Sequence, residues 1–297
     1  MHTGHAVVVG PSGEVLRHWG DPDRVIFPRS AAKPAQGVAM VRHGLDLPDH
    51  LLALSVASHG GERQHLAGVH EVLAMAGLDV DALQTPEDYP LDPLERDVWI
   101  CEYRGPSRLA MTCSGKHAAM LLTCVLNGWP VEGYRDPAHP LQQSIRWQVE
   151  ALAGEKVQHV GVDGCGAPVM AVSLTGLARS MARCAAGEPH SPGRRVWSAM
   201  VAYPDFVGGG YADVTRLMRA VPGLAAKQGF EGVGVAGLAD GRALAVKVED
   251  GSDRARQVAM AAVLAGLGVD RMVLDPFLSL PVLGGDSVVG AVSSPLE

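Results

Sequence analysis

Phe27-Pro28-Arg29-Ser30-Ala31-Ala32-Lys33-Pro34 is the stretch from which the chain is best read. A serine and a lysine three residues apart share one side of a helical turn, so a hydroxyl and an amine can meet there. The positive end of a helix disfavours a further cation, and a neutral amine beside a hydroxyl is one way to make serine a nucleophile without histidine. Pro34 has no N–H for the carbonyl of Ser30, so a helix most easily starts just after Ser30 and leaves that serine near the N-cap. Ser-x-x-Lys is common, and alone it reads as a capped helix with a surface lysine. Its weight comes from what surrounds it.

Before this turn, Ala6–Val9 and Glu14–Trp19 flank Gly10-Pro11-Ser12-Gly13 and predict a hairpin. After it, a helix runs to about Arg42, and Leu51–Ser58 is an apolar run whose small residues suit close backbone packing. Helical spacing appears over Gln64–Ala76, ending at Gly77, over Lys116–Asn127, and over Leu141–Ala153, ending at Gly154. Residues 79–110 are proline-dotted and read as irregular, and Val169–Cys184 reads as a helix broken near Gly176. Asp213–Arg219 is a short helix. Strands then return: Gly232–Leu238, an Asp240-Gly241 turn and Ala243–Val248 predict a second hairpin. A helix over Ser252–Leu267, with Ser252 or Asp253 as N-cap, and a late strand over Ser287–Val292 follow. Strands at both ends with helices between them predict an α+β fold: an antiparallel sheet built from residues 1–28 and 220–297, packed with helices, and an inserted, mainly helical domain over 29–219.

The 297 residues, 47% hydrophobic and 19% charged, describe a globular chain with a sizeable core. A net charge of −7 without a basic cluster argues against nucleic acid as partner. No start resembling a signal peptide and no apolar run of membrane-spanning length are present, so a cytoplasmic location without membrane partners is expected. Five cysteines favour reduced thiols over a disulfide framework.

Three further segments carry chemistry. Ser58 closes the apolar run ahead of His59-Gly60-Gly61-Glu62, where two glycines let backbone approach a ligand. Lys227 precedes the second hairpin in Lys227-Gln228-Gly229, resembling the lysine-glycine strand that serine β-lactamases pair with Ser-x-x-Lys. Cys113-Ser114-Gly115-Lys116-His117 and Asp163-Gly164-Cys165-Gly166 place cysteines in glycine-bearing turns. Cys113, Cys165 and either His117 or Lys116 would make three metal ligands, although no C-x-x-C pair is present.

Phe27-Pro28-Arg29-Ser30-x-x-Lys33-Pro34, Ala57-Ser58-His59-x-Gly61-Glu62, Cys113–His117, Gly161–Pro168 and Lys227-x-Gly229-x-Glu231-Gly232, in that order, resemble the Rhizobium-type, or class 3, L-asparaginases of the asparaginase II family. The resemblance implies a fold similar to serine β-lactamases and glutaminases, a homodimer, and hydrolysis of the linear amide of L-asparagine to L-aspartate and ammonia. It implies two catalytic pairs, Ser30 with Lys33 and Ser58 with Lys227, and an acyl-enzyme formed on one of the serines. Arg29, His59, Glu62 and Asp163 are the implied substrate-binding residues. Cys113, Lys116 and Cys165 are the implied zinc ligands, and no organic cofactor is implied. Family members usually carry a further strand and turn ahead of the equivalent of Gly4–Val9, so either a sheet short of one edge strand or a start assigned late is expected. Glutaminase or β-lactamase-like activity, and a non-catalytic zinc-containing asparagine-binding protein, are the alternatives.

Overall fold

The computed structural model describes residues 1–296. The chain opens with β1 (Gly4–Val9), β2 (Val15–Trp19) and β3 (Val25–Ile26), then passes through a 3-10 turn (Arg29–Ala32) into α1 (Lys33–Arg42), α2 (Asp49–Ser55), α3 (Arg63–Met75), α4 (Pro93–Cys101), α5 (Ser114–Leu126) and α6 (Pro140–Ala153). Next come β4 (His159–Val162), β5 (Pro168–Ser173), α7 (Leu174–Ala185), α8 (Pro192–Ala202), α9 (Pro204–Gly208) and α10 (Asp213–Ala220). The last part holds β6 (Ala225–Gly229), β7 (Val233–Gly237), β8 (Ala243–Val248), α11 (Asp253–Gly266), α12 (Arg271–Leu278), β9 (Ser279–Gly284) and β10 (Ser287–Ser293).

The main sheet is antiparallel and five-stranded in the order β2-β1-β8-β7-β6, so strands from both ends of the sequence meet where β1 pairs with β8. Val7 lies opposite His18 on one side and Ala245 on the other, which places β1 inside the sheet and buries Ala6–Val9. Helices cover both faces. On β7, a Cβ at Gly234 would meet Met260 and Arg256 of α11, and one at Gly237 would meet Met181 of α7. Positions three apart on a strand point to opposite faces, so the sheet lies between α7 and α11. The α+β architecture read from the sequence is thus present. A second, small sheet has the order β3-β5-β4, and β9 and β10 pair with each other.

The helical half is organised around α2. Leu51, Leu52, Ala53 and Leu54 are all fully buried, and a helix apolar all round must be buried all round. Gly115 of α5 and Gly68 of α3 sit where a Cβ would press on Leu54, so only glycine lets both helices approach α2 this closely.

Several local readings change. The Val169–Cys184 segment is strand β5 followed by helix α7: Ser173 Oγ accepts from Gly176 N at 2.9 Å, so Gly176 belongs to the first turn of a helix rather than to a break. Within the proline-dotted residues 79–110, α4 starts by having Asp92 as N-cap, its carboxylate accepting from Leu94 N at 2.8 Å, with Pro93 in the first turn, where its missing N–H costs nothing. Ser30 lies in the 3-10 turn, makes no side-chain cap bond, and the α-helix starts at Lys33.

Candidate active site

The end of α2 delivers Ser58. Ala57 N donates to Leu54 O at 3.1 Å to close the helix, and the next two amides are held by other segments: Ser58 N donates to Val207 O (3.0 Å) and His59 N to Thr112 O (3.1 Å). Ser58 is therefore fixed by backbone bonds on both sides, and neither amide is free to serve as an oxyanion donor. Two buried amines meet its hydroxyl. Lys33 Nζ, from the first turn of α1, lies 3.0 Å from Ser58 Oγ, and Lys227 Nζ, from the middle of β6, lies 2.9 Å from the same atom. Lys33 also donates to Ala57 O and to Cys113 Sγ (3.1 Å), and Lys227 to the carbonyl (3.0 Å) and side chain (3.2 Å) of Gln228. Ser58 and both lysines are at most 2% exposed. Complete burial, then the positive charge of Lys33, hold the Lys227 amine well below the ordinary lysine value.

Glycine brings β6 to this position. A Cβ at Gly229 would collide with Pro28 O and press on Ala31 N, so the edge strand can lie against the 3-10 turn only without a side chain there. A cavity of about 320 Å³ opens over Ser30 and Ser58, lined further by Tyr211, Asp213, Arg216, Gln228, Asp253 and Arg256. Ser30 is 3% exposed and its hydroxyl has no hydrogen-bond partner among the described residues. The contact expected between Ser30 and Lys33 is not made. The lysine chain is long enough to cross to Ala57 and Ser58, where the acceptors are buried and need a donor.

Behind Lys33 lies a thiol pocket. Cys113 precedes α5 and Cys165 sits in the β4–β5 turn, and both are buried with Met111 and Ala167. The interaction between the two thiols, with burial, drives the Cys113 thiol up, and the same interaction drives the Cys165 thiol far down, with Lys116 and His117 adding to the second effect. Lys116 Nζ is 3.3 Å from Cys165 Sγ. Burial works against its charge, but Cys165, Cys113 and Asp163 outweigh this and raise it. His117 meets the Tyr134 hydroxyl through Nδ1 at 2.7 Å, and its buried Nε2 has no hydrogen-bond partner. Among the described residues no three histidine, cysteine or acidic side chains cluster as ligands; beside the two sulfurs stand the Lys116 amine and the His117 Nε2. Two sulfurs, an amine and an orphaned imidazole nitrogen are a donor set that fits zinc.

The remaining sequence candidates sit around this centre. Arg29, with φ of +53°, bonds Asp163 at 2.6 Å and pairs with Glu231, whose φ is +64°; the ion pairs hold two residues in a conformation side chains rarely adopt. This pair work leaves Arg29 committed, and neither Arg29 nor Asp163 lines the cavity. His59 is fully buried; because Ser114 Oγ donates to Leu109 O (2.8 Å), His59 Nε2 must donate to Ser114 Oγ (2.8 Å), and its Nδ1 has no hydrogen-bond partner. Burial first, then His65 and Lys33, keep His59 neutral by lowering its pKa well below the usual value. Glu62 accepts from Gly210 N at 2.7 Å and Gln64 at 2.8 Å and fastens one loop to another. Sequence reading missed Asp213, Gln228 and Arg256. The signal for Arg256 was an arginine inside the otherwise apolar Ala255–Leu264 face, where a fully buried cation requires acidic partners.

The family model described as L-asparaginase II matches residues 1–294. The chain belongs to the L-asparaginase II family. A search of curated proteins gives no match. Among solved structures, Mglu in its native form in 4.3 M NaCl is 15% identical, with 96% of this chain and 63% of that chain covered and a TM-score of 0.40. A β-lactamase from Mycobacterium bovis is 15% identical, with 92% and 90% covered and a TM-score of 0.38. A Bacillus glutaminase is 12% identical, with 84% of each covered and a TM-score of 0.35. The chain spans just under two thirds of the length of the Mglu structure first named. No helix of the described residues is long and apolar enough to cross a membrane.

Proposed function

We propose that this member of the L-asparaginase II family is an amidohydrolase that releases ammonia from L-asparagine, with Ser58 as nucleophile. The observation that carries the reading is a single buried hydroxyl, at the cavity, within 2.9 and 3.0 Å of two lysine amines. A serine attacks only with a base in reach, and here Ser58 has one while Ser30 has none. Lys227, kept neutral by its surroundings, takes the Ser58 proton as the oxygen attacks the side-chain amide carbon. The acyl-enzyme forms as the C–N bond breaks and the proton passes from Lys227 to the departing nitrogen. Water then attacks the ester carbonyl, giving its proton to Lys227, and Ser58 leaves with that proton. The charge of Lys33, 3.0 Å from the same oxygen, stabilises the serine as it loses its proton. Ser30, unpartnered and in the cavity wall, is free to bond the substrate amide.

Zinc, where bound, is held by Cys113, Cys165 and Lys116 and supplies a fixed positive charge that shapes the pocket behind Lys33. Lys116 must lose a proton to ligate, so affinity falls as pH drops and binding releases protons. Cys165→Ser is expected to abolish most zinc retention through purification, read by elemental analysis. Retention at the wild-type level in that variant would remove Cys165 from the ligand set.

A test of the central reading compares ammonia release from L-asparagine and L-glutamine by the wild type, Ser58→Ala and Ser30→Ala. The Ser58 variant should fall by at least about 10³-fold, and Ser30→Ala by about 10–100-fold through lost substrate bonding alone. The reverse order would make Ser30 the nucleophile. A homodimer and a cytoplasmic location accompany the proposal.

A further inference from the structure

We propose that the cavity wall made by the first turns of α10 and α11 reads the two charges of a free α-amino acid: Asp213 and Asp253 take its α-ammonium, and Arg216 its α-carboxylate. The proposal rests on the amidohydrolase reading for the location of the reacting amide, but not for the binding itself.

Arg256 is 1% exposed and makes the wall rigid. Its guanidinium bonds Asp213 through two parallel contacts of 2.9 and 3.0 Å and reaches Asp253 at 3.1 Å. Arg256 and its two carboxylates together carry one negative charge in excess, one helical turn away from the separate cation of Arg216. Asp253 keeps a carboxylate oxygen with no hydrogen bond, and each Asp213 oxygen retains a lone pair. Such a surface is complementary to an ammonium group. Arg256 itself has its fork occupied, so it acts as a positioning residue and not as the carboxylate reader.

A cation free for the carboxylate lies one helical turn along α10. Arg216 lines the same cavity and has no acidic partner among the described residues; its contact is with the Phe277 ring at 6.0 Å. Arg29, by contrast, is already spent on Asp163 and Glu231. An independent pointer to a ligand is Ser30, 97% buried, with an unpartnered hydroxyl in the wall of this cavity. The volume of about 320 Å³ is at the small end for ligand pockets, which suits one amino acid and not a peptide.

The test is direct titration calorimetry of the full chain with L-aspartate, succinate and β-alanine. Succinate lacks the ammonium group, and β-alanine lacks the α-carboxylate. The wild type should bind L-aspartate at least about tenfold more tightly than either. Asp253→Asn should weaken L-aspartate about tenfold or more and leave succinate unchanged, and Arg216→Gln should weaken L-aspartate and leave β-alanine unchanged. Both positions are exposed, so both variants are expected to fold, which circular dichroism checks. Equal wild-type affinity for succinate and L-aspartate, or unchanged L-aspartate affinity in both variants, overturns the proposal. Ammonia release decides the amidohydrolase reading separately: intact, discriminating L-aspartate binding without any ammonia would overturn that reading and uphold this one.

Discussion

Lys227→Met is expected to lower kcat/KM for L-asparagine by about 10²–10⁴-fold, the usual contribution of a positioned general base, without lowering the thermal midpoint. Lys227 is completely buried beside the charge of Lys33, and both hold its amine well below the ordinary value. Between that lowered pKa and the ordinary value near 10.5, the unfolded chain binds a proton that the folded chain does not. Stability therefore rises with pH across this window, and below its top the lysine is a destabilising residue. Methionine has a similar length and carries no such penalty. Loss of activity with retained or increased stability separates a catalytic lysine from a structural one.

The same argument fixes a pH profile. Only neutral Lys227 can accept the Ser58 proton, so kcat/KM should rise with pH through the lowered pKa and level off before 10.5. Lys33→Met removes the second cause of the shift and leaves burial, so the midpoint should move upward whatever happens to the plateau. A profile whose midpoint is the same with and without Lys33 would show that the titrating group is not Lys227.

The second large effect is on stability. Arg256→Met is expected to cost about 3–5 kcal/mol, because it strips the partner from a carboxylate that is itself mostly buried. Asp213, 11% exposed, bears the loss; Asp253, 58% exposed, is taken up by water. For a domain of this general size that is a fall of roughly 6–20 °C in thermal midpoint. Adding Asp213→Asn to Arg256→Met removes the stranded charge and should recover part of the loss, a coupling that a double-mutant cycle measures. Simple additivity of the two substitutions would mean that the pair contributes nothing as a pair.

Cys113 shares Lys33 with Ser58, so the thiol pocket and the proposed nucleophile are one lysine side chain apart. The residue types for both were visible in the order of motifs along the chain. That Lys33 serves Ser58 and Cys113, and not Ser30, was not visible, because it depends on which acceptors are buried where α1 and α2 both pack against α5.

What the amino-acid sequence determined by itself was local or patterned. The two hairpins followed from β-rich runs around glycine turns, and the helices α3, α5, α6 and α11 from apolar periodicity closed by glycine or opened by a serine cap. The antiparallel sheet shared by both chain ends followed from where strands recur. Tertiary structure decided the rest. Leu51–Ser55 could be read only as an apolar run, since a helix buried on every side has no polar face to reveal its period. Arg256, Asp213 and Asp253 belong to one wall, although 40 residues separate Asp213 from Asp253 and no spacing rule links them. Ser-x-x-Lys marked a place where a hydroxyl and an amine occur together. The fold turned that amine away from Ser30 and towards Ser58, because a buried donor follows the acceptors that packing provides and not its nearest neighbour in sequence.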